Sequence, residues 1–153
     1  MGSQNRIGEL HSFLREVKDR PFQLGVWDCL IFTNEAFKRM DGEGWGEDLL
    51  RRYVKNNQLL TRIKMRQEYG FHSTNNAGLS WINHVEDLVS DRMKRVDNVP
   101  PRGALVTSSE ENLQAEYLGL SFGISVGSSA AFLSEQGVVY CPIEYIDSAW
   151  VKE

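Results

Sequence analysis

The stretch Ala130-Ala131-Phe132-Leu133-Ser134-Glu135-Gln136-Gly137-Val138-Val139-Tyr140 sets two short apolar runs on either side of a polar tetrapeptide that ends in glycine. β-Branched and aromatic residues flanking such a turn predict a β-hairpin, and therefore antiparallel pairing. On its N-terminal side, Leu118 to Val126 alternates around Gly119, Gly123 and Gly127. Further back, Pro100-Pro101-Arg102-Gly103 is a turn that feeds a strand Ala104-Leu105-Val106-Thr107, and Ser108 to Glu116 is a polar loop. On the C-terminal side, Tyr145-Ile146-Asp147-Ser148-Ala149-Trp150-Val151 reads as a last strand.

Ahead of this strand-rich part, residues 97–153, the periodicity over residues 1–96 is helical. Ile7, Leu10, Leu14 and Val17, with Phe13 beside them, form one apolar stripe on a helix that Pro21 must terminate. A second helix is signalled by Asp28 as N-cap, by Cys29, Thr33, Ala36 and Met40 on one face, and by a stop at Asp41-Gly42. Gly42 to Gly46 is loop. Leu49, Leu50 and Tyr53 predict a short helix, Asn56-Asn57 interrupts it, and Leu59, Leu60 and Ile63 open another that ends near Gly70. After the polar stretch His72 to Gly78, Leu79, Ile82, Val85 and Val89 form a further helical stripe. Helices first and strands second predict an α+β domain with a small antiparallel sheet.

The composition agrees with one domain spanning 1–153. A chain of 153 residues with 41% hydrophobic and 25% charged residues has material for a single core and is neither disordered nor a repeat. The 17 Lys+Arg against 21 Asp+Glu leave a net charge of −4, with no broad basic field for a phosphate backbone. Nucleic acid is thus not an expected partner. The N-terminus lacks the pattern of a signal peptide, and no run reaches the roughly 18 apolar residues of a membrane span. Two cysteines, Cys29 and Cys141, make no dense disulfide framework, and free thiols are expected.

Cys29 is the position with a physical argument for reactivity. A thiol in the first turn of a helix feels the positive end of the macrodipole and unpaired N–H groups, which favour the thiolate. Phe22, Gly25 and Trp27 precede it as candidate cleft residues, aromatic walls and a glycine that would admit a substrate backbone. A free thiol of pKa about 8.5 is only a few per cent ionised at neutral pH, so a nucleophile needs a base, usually His. The three histidines, His11, His72 and His84, all precede the strands. Asp28 is read as a cap rather than an acid, Cys141 as core, and Trp27, Trp45, Trp81 and Trp150 as packing more than as a glycan groove. Glu86, Asp87 and Asp91 show no metal-ligand spacing, and no metal or other cofactor is expected; the pairs Arg51-Arg52 and Lys94-Arg95 are too short for a nucleic-acid footprint.

Phe22, Gly25 and Asp28-Cys29, then a helix, then Pro101-Arg102-Gly103-Ala104-Leu105-Val106 and Ser121-Phe122-Gly123-Ile124-Ser125-Val126-Gly127, resemble the NlpC-type papain-like cysteine peptidases over nearly the whole chain. The resemblance is closest to a small branch encoded near the tail genes of tailed phages and prophages, with Arg52-Tyr53 and Gly137 to Trp150 as further similar features. It implies a papain-like fold with Cys29 at the nucleophile position. In active members the strand that begins here with Ser121 begins with the histidine that serves as general base, and the earlier strand carries an aspartate where this chain has Ala104. Serine takes up no proton near neutral pH, so a hydrolase built this way forgoes a general acid–base contribution of about 10²–10⁴-fold.

The resemblance therefore implies a structural or assembly component of a virion tail, made in the bacterial cytoplasm, with a degenerate peptidase fold and other tail proteins as partners. The alternative is a cysteine hydrolase, a peptidoglycan endopeptidase or amidase acting in phage entry, with Cys29 as nucleophile and His72 or His84 as an unconventional base.

Overall fold

The computed structural model describes residues 5–23, 25–49, 54–55, 58–59, 89–108 and 121–152. Two helices come first. Helix α1, Arg6–Val17, buries Leu10, Phe13 and Leu14, the middle of the predicted stripe, and leaves Ile7 and Val17 partly buried. Helix α2, Cys29–Asp41, is capped by Asp28 and closed by Gly42, whose N–H donates to the carbonyl of Lys38. Nine of its 13 residues are buried, so α2 is the central helix rather than a surface one with a single apolar stripe.

Next come a 3₁₀ turn at Glu47–Leu49 and two short strands, β1 (Val54–Lys55) and β2 (Gln58–Leu59), paired antiparallel with Val54 opposite Leu59. Leu59, expected to open a helix, is thus in a strand, and Leu49 ends a 3₁₀ turn. With Val54 opposite Leu59 and Lys55 opposite Gln58, only Asn56-Asn57 separates the paired strands, so the pair of asparagines that was read as breaking a helix joins two strands. Leu50, Tyr53, Leu60, Ile63 and nearly all of the stripe from Leu79 lie outside the described residues; Val89 at its end is helical and buried.

A six-stranded antiparallel sheet completes the fold: β3 (Lys94–Arg95), β4 (Leu105–Ser108), β5 (Ser121–Ser125), β6 (Ser129–Ser134), β7 (Gly137–Pro142) and β8 (Ser148–Val151). The spatial order is β3-β8-β4-β5-β6-β7. The molecule is thus α+β, helices followed by an antiparallel sheet. The predicted hairpin forms with Leu133 opposite Val138, and its pairing extends into the expected turn, Ser134 opposite Gly137. Two boundaries differ from the expectation. Lys94–Arg95 pairs with Val151 and Trp150, so the sheet recruits residues from the part read as helical. Tyr145 belongs to a 3₁₀ turn, Ile143–Tyr145, that follows Pro142, and the last strand starts at Ser148.

Alternation along the strands divides the core in two. Leu105, Phe122, Ile124, Ala131, Leu133 and Trp150 pack with both helices. On the opposite face, Val106, Ala130, Phe132, Cys141 and Ala149 form a second cluster, with Val96, Val139, Ile143 and Ile146 against it. Both faces of the central strands are therefore buried. α2 lies across β5 and β6 on the helical face, which brings its first residue to the sheet.

Candidate functional site

The site expected from the sequence is the N-terminus of α2. The chain enters it through a tight loop in which Gln23 and Trp27 bond each other's main chain, with N–H to carbonyl distances of 2.9 and 2.7 Å. Asp28 is fully buried and holds the loop to the helix: one carboxylate oxygen accepts from the N–H of Ile31 at 3.0 Å and the other from the N–H of Gly25 at 2.8 Å. Its function here is capping.

Cys29 follows directly, in the first turn, and is 4% exposed. Burial pushes its thiol up from 9.0 to about 12, and the neighbouring Asp28 carboxylate adds to the rise, while main-chain hydrogen bonding from Phe122, Cys29 and Leu30 pulls the other way. Magnitudes decide the outcome. A helix terminus favours a negative charge by at most ~2 kcal/mol. The rise to about 12 disfavours the thiolate by about 4 kcal/mol. Burial therefore opposes the thiolate that the helix start would favour, because the same packing that places Cys29 at the dipole removes it from water.

The contact with the main chain of Phe122 sets Cys29 against β5, one residue from Ser121, the first residue of that strand. Ser121 itself pairs with Ser108. Of the two positions that the sequence singles out, Cys29 thus meets β5 at Phe122, the residue after Ser121. His11 lies on the exposed side of α1, while His72 and His84 fall outside the described residues.

The other cleft candidates are placed differently from the expectation. Trp27 is 4% exposed and sits in the core with Phe13 and Phe32, ring centroids 6.3 and 6.1 Å away. The guanidinium of Arg20 covers its ring at 4.1 Å, and its Nε1–H has no acceptor among the described residues. Phe22 is half-buried against the same cluster, and Gly25 turns at φ 78° with its N–H committed to Asp28. Trp27 and Phe22 thus belong to the packing beside the start of α2.

Thr33 and Trp45, which the sequence marks only as packing positions, and Asn34 complete the surroundings. The hydroxyl of Thr33 donates to the carbonyl of Cys29 at 2.8 Å and accepts from Nε1 of Trp45 at 3.0 Å. Asn34, fully buried, accepts from the N–H of Gly46. The loop after α2 is thereby folded back onto the helix, and Trp45 stacks near Phe122 at 5.4 Å. Helical spacing placed Thr33 on the buried face of α2, and nothing in the sequence marked Asn34.

Among the described residues, no group of three His, Cys, Asp or Glu side chains is placed to hold a metal ion, and no helix is long and apolar enough to cross a membrane. A polar depression of about 370 Å³ lies at the other end of α2, lined by Glu43, Trp45, Asp91, Arg92 and Lys152 among others. Its cations are engaged, Arg92 with Asp48 at 2.6 Å and Lys152 with the carbonyl of Glu43 at 2.8 Å. The model of one protein family, described as a domain of unknown function (DUF6950), matches residues 4–151. No curated protein matches the chain.

Proposed function

Because the chain belongs to the DUF6950 family, a family of unknown function, its role has to be argued from its own side chains, and we propose that it is a non-catalytic scaffold of the NlpC papain-like type that serves as an assembly component of a tailed-phage tail. One observation carries the non-catalytic part: the thiol at the nucleophile position is buried and held at about 12, with main-chain groups and a carboxylate as its neighbours. A cysteine hydrolase needs a reachable, ionisable thiol and a base. Two features support descent from the NlpC type. The cysteine-bearing helix start packs on the strand that begins with Ser121, and the motifs Asp28-Cys29, Pro101 to Val106 and Ser121 to Gly127 follow in the family's order. The place in a virion rests on the resemblance to the branch encoded beside tail genes.

The test has two arms. At pH 7 the Cys29 thiol is expected to react with a small alkylating reagent at least 100-fold more slowly than free cysteine; a thiol faster than free cysteine would overturn the non-catalytic reading. In a phage that encodes the chain, Cys29→Ala is expected to leave both tail assembly and infection unchanged, and the chain is expected in purified tails. Normally assembled particles that fail to infect would favour the hydrolase instead. Absence of the chain from purified tails would remove the virion assignment without touching the chemistry.

A further inference from the structure

We infer that residues Lys18–Phe22, leading from α1 toward α2, are a latch that swings off the β6–β7 hairpin as a local unit, and that this opening, rather than unfolding of the core, admits solvent to the Cys29 thiol. Two main-chain bonds fasten the latch to the sheet: the N–H of Val138 donates to the carbonyl of Lys18 at 2.9 Å, and the N–H of Phe22 donates to the carbonyl of Ser134 at 2.9 Å. One end is anchored by α1 and the other by the Gln23–Trp27 pairing. Between the anchors Lys18, Asp19, Arg20 and Pro21 are exposed and Phe22 is only half-buried. Opening therefore gives up these two hydrogen bonds, the contacts of the partly buried Phe22 ring and the stacking of Arg20 on Trp27. Segments with so few buried contacts open at free energies well below that of global unfolding.

The position of the latch connects it to the thiol. Gly123 pairs with Phe132. Following β5 back to Phe122 and β6 forward to Ser134 leads to one end of the sheet, where the latch is bonded and where the Phe122 main chain meets Cys29. Gly137 fits the same closure. Its φ of 105° favours glycine, and a Cβ there would collide with the carbonyl of Lys18 and the Cα of Asp19. Release of the latch also uncovers the N–H of Val138 on edge strand β7, so the thiol and an edge donor become available together.

The experiment is native-state labelling of the full chain with an aromatic disulfide at pH 8, with Cys29 followed by mass spectrometry across sub-denaturing urea and set against global unfolding measured separately. In wild type, labelling of Cys29 is expected to be nearly independent of urea at low concentration and to exceed the rate that global unfolding supplies. Gly137→Ala is expected to raise it at least tenfold beyond what its own loss of global stability explains. Pro21→Gly adds backbone freedom to the open latch and to the unfolded chain alike, so it is expected to raise labelling several-fold at low urea while also lowering global stability. Labelling of Cys29 that tracks global unfolding at every urea concentration, in wild type and in both variants, would overturn the latch. Rapid labelling of wild type at pH 7, faster than free cysteine, would instead strike at the non-catalytic reading.

Discussion

At the scale of single residues, Asp28 and Cys29 show one local sequence doing two opposed things. The aspartate builds the helix start that would activate a thiol, and the helix start is then packed so deeply that burial pushes the thiol up to about 12. The rise has a signature in pH. Below about pH 9 the thiol is protonated in folded and unfolded chains alike and contributes no pH dependence. As pH rises from 9.0 toward about 12, the unfolded chain releases a proton that the folded chain keeps, so fewer protons are bound in the unfolded state and stability falls. The slope in that window is about 1.4 kcal/mol per pH unit. Cys29→Ala, which has nothing to titrate, is expected to lack this slope. Urea unfolding of both proteins at pH 8 to 10.5 reads it as a narrowing stability difference, while tyrosines and lysines cancel between them. Parallel curves would mean that Cys29 ionises normally. For Asp28→Ala the expected loss is about 2 kcal/mol by urea midpoint, since the caps of Ile31 and Gly25 vanish together. Asp28→Asn keeps an acceptor for Ile31 but turns an N–H toward Gly25, and is expected to fall between.

At the scale of elements, what was legible depended on how many side chains share a pattern. The stripe Leu10, Phe13, Leu14 and the cap at Asp28 are local signals; α2 starts and stops where Asp28 and Asp41-Gly42 put it, while α1 ends at Val17, four residues short of Pro21. The hairpin was legible because the turn and both apolar runs lie within eleven consecutive residues. Strands β1, β2 and β3 have two residues each, too few for alternation to show. Both side chains of β3 are exposed and charged, and only its pairing with Trp150 and Val151, more than fifty residues away in sequence, makes it a strand. The site was half legible for the same reason. Cys29 at a helix start follows from its neighbours in sequence, whereas its burial depends on packing against β5, far away in sequence. The β5–β6 pair also carries an element-level prediction. A Cβ on Gly123 would lie 2.5 Å from the carbonyl oxygen of Ala131 and 2.7 Å from the Phe132 ring. Gly123→Ala is expected to destabilise by about 1–3 kcal/mol by chemical denaturation. Combined with Phe132→Leu, which frees the space over β5, it should cost less than the two single changes added together. Strict additivity would show that the ring and the strand are not in contact.

At the scale of the whole molecule, three parts far apart in sequence meet at Asp41, the last residue of α2. Arg6, which opens α1, forks onto its carboxylate with bonds of 2.7 and 3.2 Å, and Lys152, just past β8, approaches the same group at 3.7 Å. Both cations also lie over the ring of Phe37, at 5.6 and 5.5 Å. This clasp ties the beginning and the end of the described chain to the central helix, so unfolding should proceed as one event and not as a helical half and a strand half. Asp41→Ala leaves two cations facing each other over Phe37 without their counter-charge. Because the carboxylate side chain is only 24% exposed, the loss is expected near the upper end for partly screened pairs, about 1–2 kcal/mol. The difference from wild type should shrink in 1 M salt, where the Debye length is only about 3 Å. Far-UV circular dichroism and tryptophan fluorescence should lose signal at one shared urea midpoint in both proteins, because Trp27 reports on the helical side and Trp150 on the sheet. Two separate transitions in wild type would show that the clasp does not couple the parts. A variant with the wild-type midpoint at low salt would show that it contributes nothing to their stability.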